Sequence, residues 1–542
     1  MRRDWSGALL VVVALCFVGL GLRQAWTDAP TFDEPVYVAS GLAGILHHDV
    51  SLNDEHPPLP KLLAALPVLF VHPVIPSDGN WDHNNERAYS ATFAAAQLRT
   101  GKLRSVTMAS RVVPLLEAVA LAFVLRAIGR DLFGRAAGAL AGLLWLLSPF
   151  VLGLGHLDSV DIAFSLAVGC WSWALLRWTR RPGVGAAAIV GLASGVAVLS
   201  DVTGLLLAGL AGVAIAGIGW RRSPRAGITE ALTALVVAWA TVWVVYAMVD
   251  VHVLAVPTVI LPSPYLHGLS YLAHNDTIPG PGYLLGVAWT GGRWWYWPGS
   301  LVVKTVPTTL AFLVLGPLGL LVVSRSARWR AALVLVLPSV LLAGFTLFTP
   351  RDIGLRYLLP VIALWLVVAS SVVAVARQRI AGTALVAAVV ATAGLVTGLS
   401  FPASLAWVSP PFGPAYRVTT NSDVDWGQGL YQLQRWARGK HAWVGYFGPR
   451  GIGVADVPGA RPLVGAVPAR ITGWVAVSAT DLTSASFRQL AWLRGYCSVG
   501  QLGGSIVLYR FHGPPGDVPG PTRPEGPCPQ VGGSRRFSAP LR

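Results

Sequence analysis

Two carboxylates stand side by side at Asp33 and Glu34, in the stretch Thr31-Phe32-Asp33-Glu34-Pro35-Val36-Tyr37 that follows the first hydrophobic segment. If that segment crosses a bilayer from inside to outside, the pair lies at headgroup depth on the outer face, level with the phosphate of a lipid. A carboxylate there can take a proton from an attacking hydroxyl. Breaking a sugar-phosphate bond releases a phosphate that is already a weak base, so its leaving group needs a cation more than a proton. One carboxylate with Arg or Lys nearby therefore suffices for such a step. Glycoside hydrolysis wants two opposed carboxyl groups, one of them a proton donor, and adjacent residues are badly placed for opposed roles.

Cations recur at the expected outer ends of hydrophobic segments: Lys61, Arg111, Lys304, Arg351 and Arg356. A cation facing lipid is costly, so each faces a cavity, pairs with an acid or snorkels to the interface. As a set on one face they make a phosphate site, where Arg offers paired hydrogen bonds and Lys a point charge. Other polar residues accompany them. Asn53-Asp54-Glu55-His56 leads into Pro57-Pro58-Leu59-Pro60-Lys61-Leu62-Leu63, and Asp54, Glu55 and His56 are candidate ligands for a divalent cation such as Mn, Mg or Zn. Consecutive residues of an extended strand point to opposite sides, which speaks against three ligands in a row. His156-Leu157-Asp158-Ser159-Val160-Asp161 opens another segment, with Asp158 either lining a cavity or capping the helix and Asp161 one turn on. Glu117 lies near the middle of a segment, where an acid is expected to pair with a cation from another helix.

These residues need a frame. The chain of 542 residues is 54% hydrophobic and 12% charged, with apolar runs of the length a helix needs to cross hydrocarbon. About eleven spans are expected, over 6–22, 105–128, 136–154, 162–176, 184–200, 203–219, 228–249, 301–323, 331–348, 357–376 and 380–400. With Arg2 and Arg3 inside, every second connection is basic: Arg126, Arg130 and Arg135; Arg177, Arg180 and Arg181; Arg221, Arg222 and Arg225; Arg325, Arg328 and Arg330; Arg377 and Arg379. The expected domains are a membrane region over 1–400, with outer loops at 27–104 and 250–300, an external small α/β domain over 401–512, and a disordered tail over 513–542. The amino terminus is cytoplasmic in this reading and the carboxy-terminal domain extracytoplasmic, in a multi-pass plasma-membrane protein. A cleaved signal peptide ending near Ala25 is the alternative for the first segment.

Within the first outer loop, two apolar pieces, 38–46 and the run ending near Val71, are too short to span and suit helices lying in the interface. In the second, His267, His274, Asn275 and Asp276 precede a Gly- and Pro-rich stretch and the cluster Trp294-Trp295-Tyr296-Trp297, which suits an interfacial aromatic belt. The tail reads as a helix over 431–438 with strands over 442–447, 473–478 and 505–511. Cys16 and Cys170 are apolar filler, whereas Cys497 and Cys528 share an oxidising side and are a candidate disulfide. The net charge of +16 is orientation signal and attraction to anionic lipid, so it does not point to nucleic acid.

The Asp33-Glu34 pair after the first span, the run His56-Pro57-Pro58-Leu59-Pro60-Lys61-Leu62-Leu63, the run Arg356-Tyr357-Leu358-Leu359-Pro360, and Asn421-Ser422-Asp423-Val424-Asp425-Trp426-Gly427-Gln428 together resemble the phospholipid-carrier-dependent glycosyltransferases of the GT-C superfamily. That group includes the protein O-mannosyltransferases and the aminoarabinose transferases. The resemblance implies an α-helical GT-C fold and inverting transfer of a sugar from a polyprenyl-phosphate carrier to an acceptor hydroxyl on a protein, glycolipid or polysaccharide. It maps the family's proposed base onto Asp33, with Glu34 as its acidic neighbour. It places Lys304 and Arg356, and with them Arg351, near the lipid phosphate, and Asp158 and His274 at the substrate cavity, which Tyr357 joins through the Arg356 run. Asp423 and Asp425 suit turn and cap duties beside Asn and Ser. A lipid or sugar transporter of the cell envelope is the other class considered. It should show inverted repeats and helices broken at the midplane, and no such repeat is visible in the sequence.

Overall fold

The structure, a computed structural model, describes residues 5–77, 85–251, 253, 258, 260–373, 380–466, 471–483 and 485–511, with only the backbone of 5, 6, 380, 381 and 485–489. Arg2, Arg3, Arg377, Arg379, Cys528 and the tail over 513–542 lie outside the described residues. Among the described residues, six helices are long and apolar enough to cross a membrane: Gly7–Thr27, Leu103–Phe133, Val160–Arg180, Pro224–Val249, Arg325–Leu347 and Gly382–Ser400. A seventh span is a bent pair, Arg135–Leu146 with Pro149–Gly155, broken by 62°. Ser148 sits at that break, and its hydroxyl accepts a hydrogen bond from the Val151 amide, capping the second piece ahead of Pro149. The other four expected spans fall on shorter apolar helices, Val184–Ser200, Gly204–Trp220, Pro307–Leu321 and Leu355–Ser370. This is a multi-pass helical membrane protein.

We label the first helices α1 (Trp5–Thr27), α2 (Glu34–Leu46), α3 (Pro58–Leu69), α4 (Glu86–Arg99), α5 (Leu103–Phe133), α6 (Arg135–Leu146), α7 (Pro149–Gly155) and α8 (Val160–Arg180). The membrane core gathers Leu, Ala and Val of α1, α5, α6 and α8 around fully buried Trp145, Trp171 and Trp178. Each indole N–H finds an acceptor, respectively the Ala118 carbonyl at 2.9 Å, the Ser194 hydroxyl at 3.1 Å and Glu230 at 2.8 Å, so these large rings are buried without an orphaned donor.

α8 has Asp161 in its first turn and Arg177 and Arg180 in its last. At 1.5 Å per residue it spans about 30 Å, roughly the hydrocarbon thickness. At its far end Asp131 of α5 lies 3.4 Å from Arg130, 3.7 Å from Arg177 and 3.8 Å from Arg180. The basic connections and the acidic motif thus occupy opposite ends of the same helices.

α2 and α3 pack side by side beyond α1, and Gly41 makes the approach possible: a Cβ there would lie 2.1 Å from the Lys61 carbonyl oxygen. The stretch over 250–300 forms the helix Ser263–Asn275 and then an antiparallel hairpin of β1 (Pro281–Leu284) and β2 (Val287–Thr290). Its two-residue turn has positive φ at both Leu285 and Gly286, the backbone that matches strand twist in tight hairpins. Beyond the last membrane helix comes a mixed five-stranded sheet of β3 (Ala442–Gly445), β4 (Ala460–Pro462), β5 (Gly473–Ser478), β6 (Gly500–Leu502) and β7 (Ile506–Phe511), in the order β4-β3-β5-β7-β6. β3 runs parallel to β4 and β5, while β7 is antiparallel to β5 and β6. The helix Leu430–Ala437 packs Leu433 and Ala437 into the same apolar cluster as Ala442, Val444 and Ala476. Cys497 is disulfide-bonded, whereas Cys16 and Cys170 are free.

Candidate functional site

Asp33 occupies the N-cap position of α2, yet its side chain makes no capping hydrogen bond. The carboxylate is turned instead toward Arg356, whose Nη2 lies 3.6 Å from Oδ2. That distance makes an ion pair without a hydrogen bond, leaving the carboxylate's lone pairs for another donor. Burial pushes the Asp33 carboxyl up to about 6; Arg356 pulls it down, while Glu55 and Asp161 push it further up. The side chain is still 24% exposed, so a solvent-side hydroxyl has access.

Arg356 sits in a short turn, Leu355–Leu358, and is 7% exposed. Its Nη1 donates to Asp161 at 3.3 Å, and its Nε has no hydrogen-bond partner. The guanidinium lies 4.2 Å above the centroid of the Trp426 ring and 5.1 Å from that of Tyr357. The turn is set by its neighbours: Gly354 has φ +147°, a backbone conformation that glycine adopts and side chains resist, and Asp423 Oδ1 accepts from the Leu355 amide at 2.9 Å. Asp161 is held in turn by Ser159, whose hydroxyl donates to its Oδ2 and accepts from its amide.

Segment 421–428 ties these parts together. The Ser422 hydroxyl donates to the Ile353 carbonyl at 2.7 Å, the Trp426 carbonyl accepts from the Phe32 amide at 2.8 Å, and the Gln428 carbonyl accepts from the Ala29 amide at 2.9 Å. Asp425 accepts from the Thr480 amide at 3.0 Å and the Gly427 amide at 3.3 Å, and burial raises its carboxyl to about 7. Asp423 and Asp425 therefore hold backbone, the duty their sequence context suggests.

The remaining expected site residues separate into two groups. Glu34, expected beside Asp33 in the catalytic pair, faces the other way: its Oε1 and Oε2 each accept at 2.7 Å from Arg111, and it also accepts from the Thr31 and Asp158 amides. Arg111, expected at a phosphate, spends its other donors on the carbonyls of Ala25, Asp28 and Ala29, each at 2.8 Å. The two are fully buried and clamp the end of α1 to α5 and α2, with no lone pair or proton left over. Lys304 is corrected similarly: its ammonium donates to the carbonyls of Leu405, Trp407 and Asp423 at 2.7, 2.6 and 2.7 Å, which exhausts its three protons. Lys61 donates to Asn53 and, at 2.6 Å, to the His56 carbonyl, and Arg351 donates to the Asn275 carbonyl at 2.7 Å. Asp158 is buried on the Glu34 side, and the cap of α8 is Ser159 rather than Asp158. His274 is exposed on the helix Ser263–Asn275.

Glu55, His56 and Tyr357 stay near the pair. Glu55 is half-buried, interacts electrostatically with Asp33, and has its carboxyl raised by burial. His56 packs edge-on against Tyr37 at 5.6 Å, and burial lowers it to about 3, so its ring is neutral at physiological pH. No group of three or more His, Cys, Asp or Glu able to hold a metal occurs among the described residues.

Of the expected cations, then, Arg356 faces Asp33. The residue missed in the sequence is Trp426, whose signal was its place in the Asp-rich run 421–428. No protein-family model matches the chain, and no curated protein matches it. Among solved structures, the chain is similar to ArnT from Cupriavidus metallidurans bound to undecaprenyl phosphate, at 16% identity and TM-score 0.46 over 80% of this chain and 69% of that one. It is similar to the apo oligosaccharyltransferase of Archaeoglobus fulgidus at 12% identity and TM-score 0.47, over 92% and 73%. Arabinosyltransferase EmbB from Mycobacterium smegmatis aligns at 14% identity and TM-score 0.40, over 72% and 37%. Likeness this distant assigns neither a reaction nor a substrate.

Proposed function

We propose that the chain is an inverting glycosyltransferase of the GT-C type that moves a sugar from a polyprenyl-phosphate carrier to an acceptor hydroxyl at the outer face of the membrane. The observation that carries this reading is the opposition of Asp33 and Arg356, a partly exposed carboxylate and a buried guanidinium 3.6 Å apart at the junction of membrane and external domain.

Asp161 takes Nη1 of Arg356 and leaves the buried Nε without a hydrogen-bond partner, so the donor's phosphate pairs with the Nε and Nη2 edge as it displaces Asp33 from its ion pair. Asp33, released toward the acceptor, takes the hydroxyl proton as the acceptor oxygen bonds to the anomeric carbon. The bond from that carbon to the phosphate breaks, and polyprenyl phosphate departs with its charge balanced by Arg356. Attack from the face opposite the phosphate inverts the anomeric centre. Glu55 and Tyr357 line the sugar side of the cavity in this scheme, and the acceptor is a protein, glycolipid or polysaccharide hydroxyl.

The test is to incubate the purified protein with a panel of polyprenyl-phosphate sugars and measure free polyprenyl phosphate. Asp33→Asn should lower release by about 100-fold or more while leaving lipid binding intact, the range expected for loss of a general base. Full turnover by that variant would sink the reading. The 62° break between α6 and α7 is a feature a lipid transporter would share. Lipid translocation by wild type that survives Asp33→Asn, without sugar transfer, would favour that alternative.

A further inference from the structure

Four neighbours surround the Arg356 guanidinium, among them the Tyr357 ring at 5.1 Å. Asp161 holds Nη1, Asp33 faces Nη2, and the Trp426 ring supports the flat face at 4.2 Å. Only the Trp426 ring comes from the external domain. The same residue also reaches the opposite partner: its carbonyl accepts from the amide of Phe32, the residue before Asp33, and the Phe32 ring stacks on Phe447 of the external domain at 5.1 Å and 5°. Trp426 is itself immobilised. It is 2% exposed, its amide donates to Gln428 Oε1 at 2.8 Å, and Gln428 Nε2 donates to the Val424 carbonyl at 2.8 Å.

Resting on the glycosyl-transfer reading above, we propose that Trp426 is the positioning residue of the site. Its ring holds the phosphate-binding guanidinium and its main chain holds the segment that bears the base, so the external domain sets the distance between them. Trp is the most effective aromatic partner for a cation, because its ring presents the most negative face. A buried guanidinium without that support keeps its hydrogen bond to Asp161 and recedes from Asp33, to which it has none.

The experiment compares Trp426→Leu and Trp426→Phe in the full-length protein, reconstituted in lipid and checked for folding by melting temperature and gel filtration. Leu fills much of the volume without a π face, and Phe keeps one. Trp426→Leu should weaken binding of polyprenyl phosphate about tenfold and move the acid limb of turnover to higher pH, because Asp33 loses a nearby positive charge; Trp426→Phe should stay within about threefold of wild type. Accessibility of Arg356 to phenylglyoxal, followed by peptide mass spectrometry, reads the positioning without any donor. It should rise about tenfold in the Leu variant and little in the Phe variant. If Trp426→Leu matches wild type in Arg356 modification, the positioning role is overturned. If wild type releases nothing from any donor, the transfer reading falls, and the modification comparison still decides the role of Trp426.

Discussion

At the residue scale, the chemistry turns on how adjacent carboxylates are divided. Asp33 and Glu34 share a helix start, but successive residues there point in different directions, and each meets a different arginine. Glu34 is consumed by Arg111 and two amides, an arrangement in which removing either partner leaves a buried charge uncompensated. Asp33 is held loosely and raised to about 6 by burial. In the proposed role of general base it works deprotonated, so turnover should rise with pH through about 6 and level off above 7. A pH–rate profile with its acid limb below 4.5 would show that the titrating base is another group. Asp33 stood out in the sequence as one of two adjacent acids directly after the first span. The sequence could not show which cations were already engaged, since the protons of Lys304 and Lys61 are taken up by hydrogen bonds to backbone carbonyls, and carbonyls leave no mark in composition.

At the element scale, the site depends on the short turn Leu355–Leu358 and the segment 421–428 that braces it. A Cβ on Gly354 would lie 2.1 Å from the Ser422 hydroxyl, which is bonded to the Ile353 carbonyl. Gly354→Ala should therefore cost about 1–3 kcal/mol through its backbone conformation and displace the turn, lowering both melting temperature and transfer. Gly398→Ala, where nothing lies within 4 Å, is the matched control and should change neither. Equal behaviour of the two variants would remove the turn from the account. Long helices were readable from apolar runs, and the strands at 473–478 and 506–511 from their β-branched content. The hairpin β1–β2 was not, because its turn is Leu285-Gly286 and lacks the Asn-Gly or Asp-Gly signature. Its pairing with the external domain, Leu285 amide to Val418 carbonyl at 2.7 Å, is a contact between distant parts of the chain that local pattern does not encode.

At the scale of the whole molecule, the basic clusters around Asp131 and the Asp33–Arg356 site lie at opposite ends of α5 and α8. Arginine-rich connections stay in the cytoplasm as a rule, so the proposed reading puts the site and the sheet domain outside. A cysteine replacing exposed Arg438 should react with a membrane-impermeant maleimide in intact cells, and one replacing exposed Arg181 only after permeabilisation. The reverse pattern would put the site in the wrong compartment for the proposed donor. This alternation of basic loops was the most legible property of the chain, because it is written in residue counts rather than in contacts.

The bracing of Phe32 and Ala29 by Trp426 and Gln428 joins residues almost four hundred positions apart. A ribosome makes the first group long before the second. Until the later segment has folded, the stretch leading into α2 lacks these two backbone hydrogen bonds and is held by the Glu34–Arg111 clamp.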